Sequence, residues 1–375
     1  MLMGRIKTLN LEGMQMKKLF VLVMCVVLVV TFFSCSKEEK NTSTYEIAMI
    51  TTSQSSSIDD GAYNQSTWEG LREYAEENGL TYKYYEPRED STDARLEQID
   101  QAIQSGASVI ACCGQEFEPV IYTAQEKYGD KTFLLIDGYP TDDKGNQKTG
   151  TNAIGVKFAE NELGYLAGYA AVEDGYRTLG FIGDGAAASM KNYGYGFIQG
   201  CNDAAEDIGV TVDVNYSYKK DGDTAAKIQK KAETWYEEGT EVIFACGNEV
   251  FDSVKAEADI AGAKVIGCGY DRNATSKNVL TSTVKECGIA VQAELAAFYN
   301  GVFTGGKNLV LGIAEDAVGL ALKTSRFEAF EQESYDALCQ SLKSGELKIA
   351  SSEDAQKVSG LIQKKQLNFV YVTMN

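Results

Sequence analysis

The sequence predicts an α/β protein built from two doubly wound domains. From residue 46 onward, short apolar runs alternate with longer amphipathic segments, which is typical of parallel sheets with right-handed crossovers and helices on both faces. The alternation occurs as two series, over 46–137 and 177–284, and in each a helix ending at glycine (QSG, EEG) precedes an apolar strand, ASVIACC or EVIFACG. A chain of 375 residues with 44% apolar content can furnish more than one core.

The first series opens with the strand EIAMIT and continues with the helix STWEGLREYAEENG, which ends at Gly79, and the strand TYKYYEP. The strands ASVIACC and KTFLLID follow, each preceded by a helix. The second series contains the strands RTLGFIGD, VTVDVNYSY, EVIFACG, AKVIGCGYD and NVLTSTV with helices between them. Ligands of such sheets bind beyond the carboxyl ends of the strands, which makes Asp137 and Asp271 candidates for a site.

The helix ECGIAVQAELAAFYNGVF comes after both series, and we interpret it as the chain crossing back to complete the first domain. This assigns 45–155 and 286–305 to the first domain and 156–285 and 306–375 to the second, with LNFVYVTMN adding an edge strand to the second. Several crossovers make a hinge, and a cleft between hinged domains is a site that closes on its ligand.

The N-terminal region has the order of a signal peptide. Lys17 and Lys18 precede an uncharged apolar run from Leu19 to Phe33, which is too short to span a membrane, and then Ser34 and Cys35. The Ser34-Cys35 junction resembles a bacterial lipoprotein cleavage site. We therefore expect a signal region over 1–34, lipidation at Cys35, a polar tether over 35–44, and an extracytoplasmic protein anchored to the cell membrane.

Composition excludes several classes of function. The 35 basic and 54 acidic residues give a net charge of −19, which is unsuited to tracking a phosphate backbone, so no nucleic acid is expected as a partner. The chain has no histidine, which removes the histidine-dependent nucleophile arrangements and imidazole zinc sites. No CxxC pair occurs, and cysteines in strands such as VIACC are read as core residues. We expect no enzyme activity, no metal and no cofactor.

The segment IDDGAYNQSTWEGL, directly after the first strand, resembles the signature of the basic membrane protein family, the nucleoside-binding lipoproteins of ABC transporters. The resemblance continues through FLLIDGYP, NAIGVKFAENELGYLAGYAA, LGFIGD, VIGCGYD and LTSTVKE, in the family's order. It implies the periplasmic-binding protein type I fold, with two domains joined by three hinge crossovers.

Carried over by position, the resemblance implies ligand contacts that come from both domains: Asp60, Tyr63, Asn64, Asp137, Gly247, Asn248, Asp271 and Lys285. These residue types suit a nucleoside, because an aromatic face stacks on a base and carboxylates accept charge-assisted hydrogen bonds from ribose hydroxyls. For Lys285, a solvated lysine after a strand is an equal alternative, and Asp59 is expected to cap the helix while Asp60 meets the ligand.

Three positions depart from the family pattern. Tyr63 stands where the family has Phe, which keeps the stacking face and adds a hydroxyl. The loop KKDGD lacks the expected second aromatic, for which Tyr216 or Tyr218 is a candidate, and CGNEVFD replaces a more glycine-rich turn.

The glycines of FIGDGAAAS do not indicate a nucleotide cofactor, because the segment lacks the lysine and the spacing of a phosphate-binding loop.

The predicted function is that of a non-enzymatic solute-binding lipoprotein. It would capture a nucleoside, with purine nucleosides favoured, and deliver it to a membrane permease driven by a cytoplasmic ATPase. The alternatives are a type I receptor for a sugar or signal molecule, a subunit that presents ligand to a membrane sensor, and a nucleoside hydrolase.

Overall fold

The alternation predicted from the sequence forms two parallel-dominant sheets in a computed structural model that describes residues 44–53 and 57–375. The predicted signal region, the lipidation of Cys35 and the tether as far as residue 43 lie outside the described residues. Residues 44–375 belong to one compact unit.

The first sheet has the strand order β11-β5-β4-β3-β1-β2, and all its strand pairs are parallel. Its strands are β1 (Ile47–Ile50), β2 (Tyr82–Tyr85), β3 (Val109–Cys113), β4 (Thr132–Ile136), β5 (Ala153–Phe158) and β11 (Lys307–Leu311). Every residue of β1, β3 and β4 is buried, because helices cover both faces of a parallel sheet.

The second sheet has the order β12-β10-β9-β8-β6-β7-β13. Its strands are β6 (Thr178–Gly183), β7 (Val212–Tyr218), β8 (Val242–Cys246), β9 (Lys264–Gly267), β10 (Val279–Lys285), β12 (Val318–Leu320) and β13 (Val370–Met374). Among the described strands of this sheet, only β12 pairs antiparallel, against β10. The predicted C-terminal edge strand is confirmed as β13, which pairs with β7.

The longer connections are helical. The helices are α1 (Tyr63–Asn78), α2 (Thr92–Gln104), α3 (Glu118–Lys127), α4 (Glu160–Glu173), α5 (Ala188–Asp207), α6 (Ala225–Glu237), α7 (Asn248–Ala261), α8 (Cys287–Tyr299), α9 (Gln332–Lys343) and α10 (Val358–Lys365). Helix α1 begins earlier than the predicted STWEGLREYAEENG segment and ends at Gly79, whose φ of 67° suits the left-handed C-cap. Over the described residues, no helix has both the length and the apolar character needed to cross a bilayer.

The chain crosses between the sheets three times, and two crossings differ from the predicted boundaries. Strand β5 continues the first sheet to Phe158 instead of 155. Strand β11 pairs with β5 along its whole length, from Lys307 opposite Ile154 to Leu311, so it belongs to the first sheet and not to the second domain. The prediction failed here because β11 is a half-exposed edge strand whose partner is distant in sequence. The third crossing follows Leu311 and leads to β12 of the second sheet. That each sheet and its helices form a separate domain stays a proposal.

Helices α4 and α5 pack at backbone contact through glycines. A Cβ built on Gly164 or Gly168 of α4 would lie 2.0 or 2.2 Å from a carbonyl oxygen of α5. Gly196 and Gly200 of α5 meet carbonyl oxygens of α4 at 2.0 and 2.1 Å in the same way. The GYLAG and GFIQG segments thus place glycines along the line of contact between the two helices. The close packing holds α4, which precedes the first strand of the second sheet, against α5.

Candidate functional site

A cavity of about 540 Å³ lies where the carboxyl ends of strands from both sheets meet. In each sheet five strands follow the order 2-1-3-4-5, which is β2-β1-β3-β4-β5 in the first and β7-β6-β8-β9-β10 in the second. Residues just after or at the end of six of these strands, two in the first sheet and four in the second, line the cavity: Cys113, Asp137, Asp184, Gly247, Cys268 and Lys285. This is the position at which doubly wound sheets bind ligands.

Most of the predicted site residues meet at this cavity. The lining includes Asp60, Tyr63, Asn64, Asp137, Gly247, Asn248 and Lys285. Their contact with a ligand stays a prediction, but the fold brings together residues separated by more than two hundred positions.

Asp60 both lines the cavity and organises the start of α1. Its Oδ1 accepts hydrogen bonds from the backbone N–H groups of Ala62 (2.7 Å) and Gln65 (3.2 Å), and its Oδ2 accepts one from Asn64 Nδ2 (3.2 Å). The capping role predicted for Asp59 thus belongs to Asp60. A carboxylate also suits the positive end of the helix dipole.

Tyr63 reaches across the cavity toward the second sheet. A Cβ built on Gly269, which has a φ of +89°, would lie 1.9 Å from the Tyr63 hydroxyl oxygen, so glycine is required both for its backbone conformation and for this approach. The Tyr63 ring meets the ring of Tyr270 edge to face, with centroids 5.6 Å apart. Burial raises the pKa of Tyr63 well above its ordinary value, although Lys285 lowers it. The phenol therefore stays protonated at neutral pH.

The two candidates for a second aromatic residue, Tyr216 and Tyr218, pack away from the cavity. Tyr216 is buried against Phe181, with ring centroids 4.7 Å apart, and its hydroxyl lies 2.6 Å from that of Tyr218. Among the described residues, neither Tyr216 nor Tyr218 lines the cavity, whereas Tyr193 and Tyr270 do. The aromatic rings at the cavity thus come from α1, α5 and the residues after β9, and their stacking on a ligand stays a prediction.

Lys285 is a buried cation held between two carboxylates. Its Nζ lies 2.7 Å from Asp137 Oδ1 and 3.2 Å from Glu160 Oε1, and only 6% of the Lys285 side chain is exposed. The alternative of a solvated lysine is therefore wrong. Asp137 follows β4 with a φ of 59°, a left-handed conformation that Asp tolerates better than most residues. Sequence reasoning missed Glu160, which gave no signal beyond its place in the NAIGVKFAENELGY segment.

The same turn follows β3 and β8. Gly114 and Gly247 have φ values of 115° and 110°, and each lines the cavity just before a helical segment. A Cβ on Gly247 would lie 2.4 Å from the Cβ of Asp184, so a side chain at this position would have to displace the cavity wall. The lining residues Gln115 and Asn248 are thus equivalent, and the repeat of ACCGQE and FACGNE was the signal that could have identified Gln115.

Asp271 is not among the described residues that line the cavity, and its role as an acceptor for ligand hydroxyls stays a prediction. Its Oδ1 accepts a hydrogen bond from Asn273 N (2.8 Å) and its Oδ2 accepts one from Thr324 Oγ1 (2.7 Å). Arg272 lines the cavity instead. The backbone bends at Gly269 and Tyr270 after β9, and the Asp271 carboxylate is engaged by Asn273 and Thr324 while Arg272 lines the cavity.

The buried cysteines behave as core residues, as predicted. Among the described cysteines, all are free thiols. Cys268 lines the cavity, and its Sγ accepts a hydrogen bond from Gly247 N at 3.3 Å. Hydrogen bonding with Cys246 is the main cause that lowers the pKa of Cys268, and Arg272 acts in the same direction, while burial opposes both.

The two sheets, their three crossovers and the cavity between the strand ends have the architecture of the periplasmic-binding protein type I fold. Comparison with solved structures agrees. The fold is similar to an ABC transporter solute-binding protein from Aeropyrum pernix K1 (TM-score 0.64, 17% identity, 87% of this chain and 98% of that one). It is also similar to a solute-binding protein of an ABC transporter system from Conexibacter woesei DSM 14684 (TM-score 0.63, 18% identity, 82% and 99% coverage).

Residues 47–369 match the family described as "ABC transporter substrate-binding protein PnrA-like" (Bmp), and the chain belongs to this family. It is 27% identical over 296 residues to the ABC transporter nucleoside-binding protein BmpA of Lactococcus lactis subsp. cremoris, covering 72% of this chain and 80% of the relative. It is 24% identical over 331 residues to basic membrane protein A of Borreliella burgdorferi, with 87% and 94% coverage. Members of the family are non-enzymatic substrate-binding proteins that serve permeases, as the sequence analysis predicted.

Proposed function

We propose that the protein captures a nucleoside, with purine nucleosides favoured, in the cavity between the two sheets. The observation that carries this proposal is the combination of aromatic rings and carboxylates in one cavity: Tyr63, Tyr193 and Tyr270 beside Asp60 and Asp137. A volume of about 540 Å³ falls within the range of about 300 to 1,000 Å³ typical of small-molecule sites.

The two kinds of side chain match the two halves of a nucleoside. Aromatic faces stack on a base, whereas carboxylate oxygens accept hydrogen bonds from vicinal ribose hydroxyls. The nucleoside-binding protein named among the relatives supports the same ligand class. A free sugar would use the carboxylates but would not need Tyr63 to stack.

We further propose that Cys35 carries a lipid that holds the protein on the outer side of the cell membrane, beside the permease to which it delivers its ligand. This follows from the apolar run and the Ser34-Cys35 junction of the sequence. Several acyl chains give stable membrane binding, whereas one is marginal.

Titration calorimetry on the wild type, Tyr63→Phe and Tyr63→Ala tests the ligand class with guanosine, inosine, adenosine and ribose. Base stacking is worth about 1 to 3 kcal/mol per base in single-stranded nucleic-acid proteins, so Tyr63→Ala should weaken nucleoside binding about 5- to 150-fold. Tyr63→Phe should change it by less than about 10-fold, and ribose should respond least. Tyr371→Ala, on the exposed edge strand β13, is the matched control. Ribose binding as tight as nucleoside binding, or an unaffected Tyr63→Ala variant, would favour the sugar receptor.

A further inference from the structure

Arg272 is a buried guanidinium at the cavity wall, and its position is fixed on several sides. Only 5% of the residue is exposed. Its Nε donates a hydrogen bond to the carbonyl oxygen of Cys268 (3.2 Å), and one terminal nitrogen donates to Asn248 Oδ1. The guanidinium carbon lies 4.0 Å from the ring centroid of Tyr270 and 4.6 Å from that of Phe251. A guanidinium held in this way presents its remaining donors in a fixed direction.

The two cations that line the cavity, Lys285 and Arg272, differ in how far the protein satisfies their N–H donors. Lys285 faces two carboxylates. Arg272, in contrast, forms no ion pair with any residue in 44–53 or 57–375. Of its five N–H groups, two have acceptors within this described part of the chain. Because a buried charge is costly unless its donors are satisfied, the remaining N–H groups call for acceptors supplied by a ligand.

The chemistry of this wall restricts what the ligand can present to it. A guanidinium donates and never accepts, and the Oδ1 of Asn248 is already occupied by Arg272, which leaves the amide nitrogen of Asn248 as a further donor. The ligand must therefore offer acceptors along the edge that meets this wall.

We propose that Arg272 is a specificity-determining residue that selects 6-oxopurine nucleosides, guanosine and inosine, over adenosine. This inference rests on the proposed function. A 6-oxopurine carries two adjacent acceptors, N7 and O6, which match the guanidinium fork, whereas adenine places the N6 amino donor beside N7. A donor facing a donor leaves both without a partner, and this disfavours adenosine.

Calorimetric titration of the purified chain with guanosine, inosine and adenosine tests the proposal. One bidentate contact typically discriminates by about 1 to 3 kcal/mol, so the wild type should bind guanosine and inosine about 5- to 150-fold more tightly than adenosine. Arg272→Gln and Arg272→Lys should both reduce this ratio toward one, because Lys keeps the charge but loses the planar fork. The matched control is Arg72→Gln on the exposed face of α1, which should keep the wild-type ratio.

The outcomes separate this inference from the proposed function. If the wild type binds adenosine as tightly as guanosine, or if Arg272→Lys keeps the discrimination, Arg272 does not read the base, while nucleoside binding itself still stands. If guanosine monophosphate binds more tightly than guanosine and Arg272→Lys abolishes the difference, the guanidinium reads an anion and the proposal is overturned. If only ribose binds, both the inference and the proposed function fail. Thermal unfolding without ligand identifies a variant that has lost its fold, and the wild-type ratio and the Lys variant then decide.

Discussion

Replacing Lys285 by methionine removes the cation that faces Asp137 and Glu160, and we expect the change to destabilise the protein by about 3 to 5 kcal/mol. Methionine keeps much of the length and apolar stem of lysine, so the perturbation is mainly electrostatic. It leaves two carboxylates in a site where Asp137 is 8% and Glu160 5% exposed. Burying an uncompensated charge is among the few single changes with an effect this large.

The magnitude follows from the geometry of the cluster. The Nζ to carboxylate separations are 2.7 and 3.2 Å. With an effective dielectric constant of about 20, Coulomb's law gives attractions of about 6 and about 5 kcal/mol at these distances. Desolvation of the three ions offsets much of this gain in the wild type. The variant loses the attraction but keeps both buried carboxyl groups. The expected loss in the free energy of unfolding is therefore about 3 to 5 kcal/mol, the range typical of buried ion pairs that lose one partner.

Urea unfolding without ligand measures the effect. The matched control is Lys148→Met, because Lys148 pairs with Glu126 at the surface, where the side chains are 61% and 55% exposed. The control should change the free energy of unfolding by less than about 1 kcal/mol. Equal free energies of unfolding for the two variants would refute the reasoning.

The pH dependence gives a second readout. Burial lowers the pKa of Lys285, but Asp137, Tyr193 and Glu160 together more than offset it, so that this pKa stands well above its ordinary value of 10.5. A group whose pKa is raised by folding stabilises the protein fully below its unfolded pKa and loses this contribution as the pH rises toward the folded pKa. The difference between wild type and Lys285→Met should thus be constant from about pH 7 to about pH 9 and shrink above pH 10.5.

Three further changes test the packing and the anchor. Gly164→Ala should destabilise the protein by about 1 to 3 kcal/mol, because the new methyl group would lie 2.0 Å from a backbone carbonyl oxygen, whereas Gly360→Ala, with its nearest neighbour at 3.9 Å, should be neutral or stabilising by up to about 1 kcal/mol in thermal unfolding. Gly269→Ala should cost more stability in the wild type than in the Tyr63→Phe background, where the opposing hydroxyl is gone, and a double-mutant cycle without coupling would contradict the contact. Cys35→Ala should release the protein from the membrane fraction, and unchanged detergent partitioning and processing would exclude the lipid anchor.

The fold class and the general place of the site could be predicted from the sequence. Strands such as VIFAC are apolar throughout because both faces are covered, and this pattern together with the intervening helices fixes a parallel sheet. Parallel strands bring their carboxyl ends to one edge, so Asp137 and Gly247 could be placed at a common site without knowledge of their contacts. Helix ends at glycines were equally visible, because Gly79 adopts the left-handed conformation that a helix C-cap favours.

Contacts between distant residues could not be predicted in this way. Strand β11 carries too weak a pattern to show which sheet it joins, and its pairing with β5 is visible only once both are in place. Glu160 becomes a partner of Lys285 only because a crossover and a strand end meet 125 positions apart in sequence. No local pattern encodes such an encounter, since it depends on the path of the whole chain.

The sequence by itself thus determined the two wound sheets and the edge at which the cavity lies. The tertiary structure alone decided which side chain of each loop faces the cavity. At the end of β9 the sequence favoured Asp271, but the bend turns its carboxylate toward Asn273 and Thr324 and leaves Arg272 at the wall. The physical reason is that successive side chains point to opposite faces only within a strand. Beyond the strand end, the local turn and its hydrogen-bond partners set the direction of each side chain.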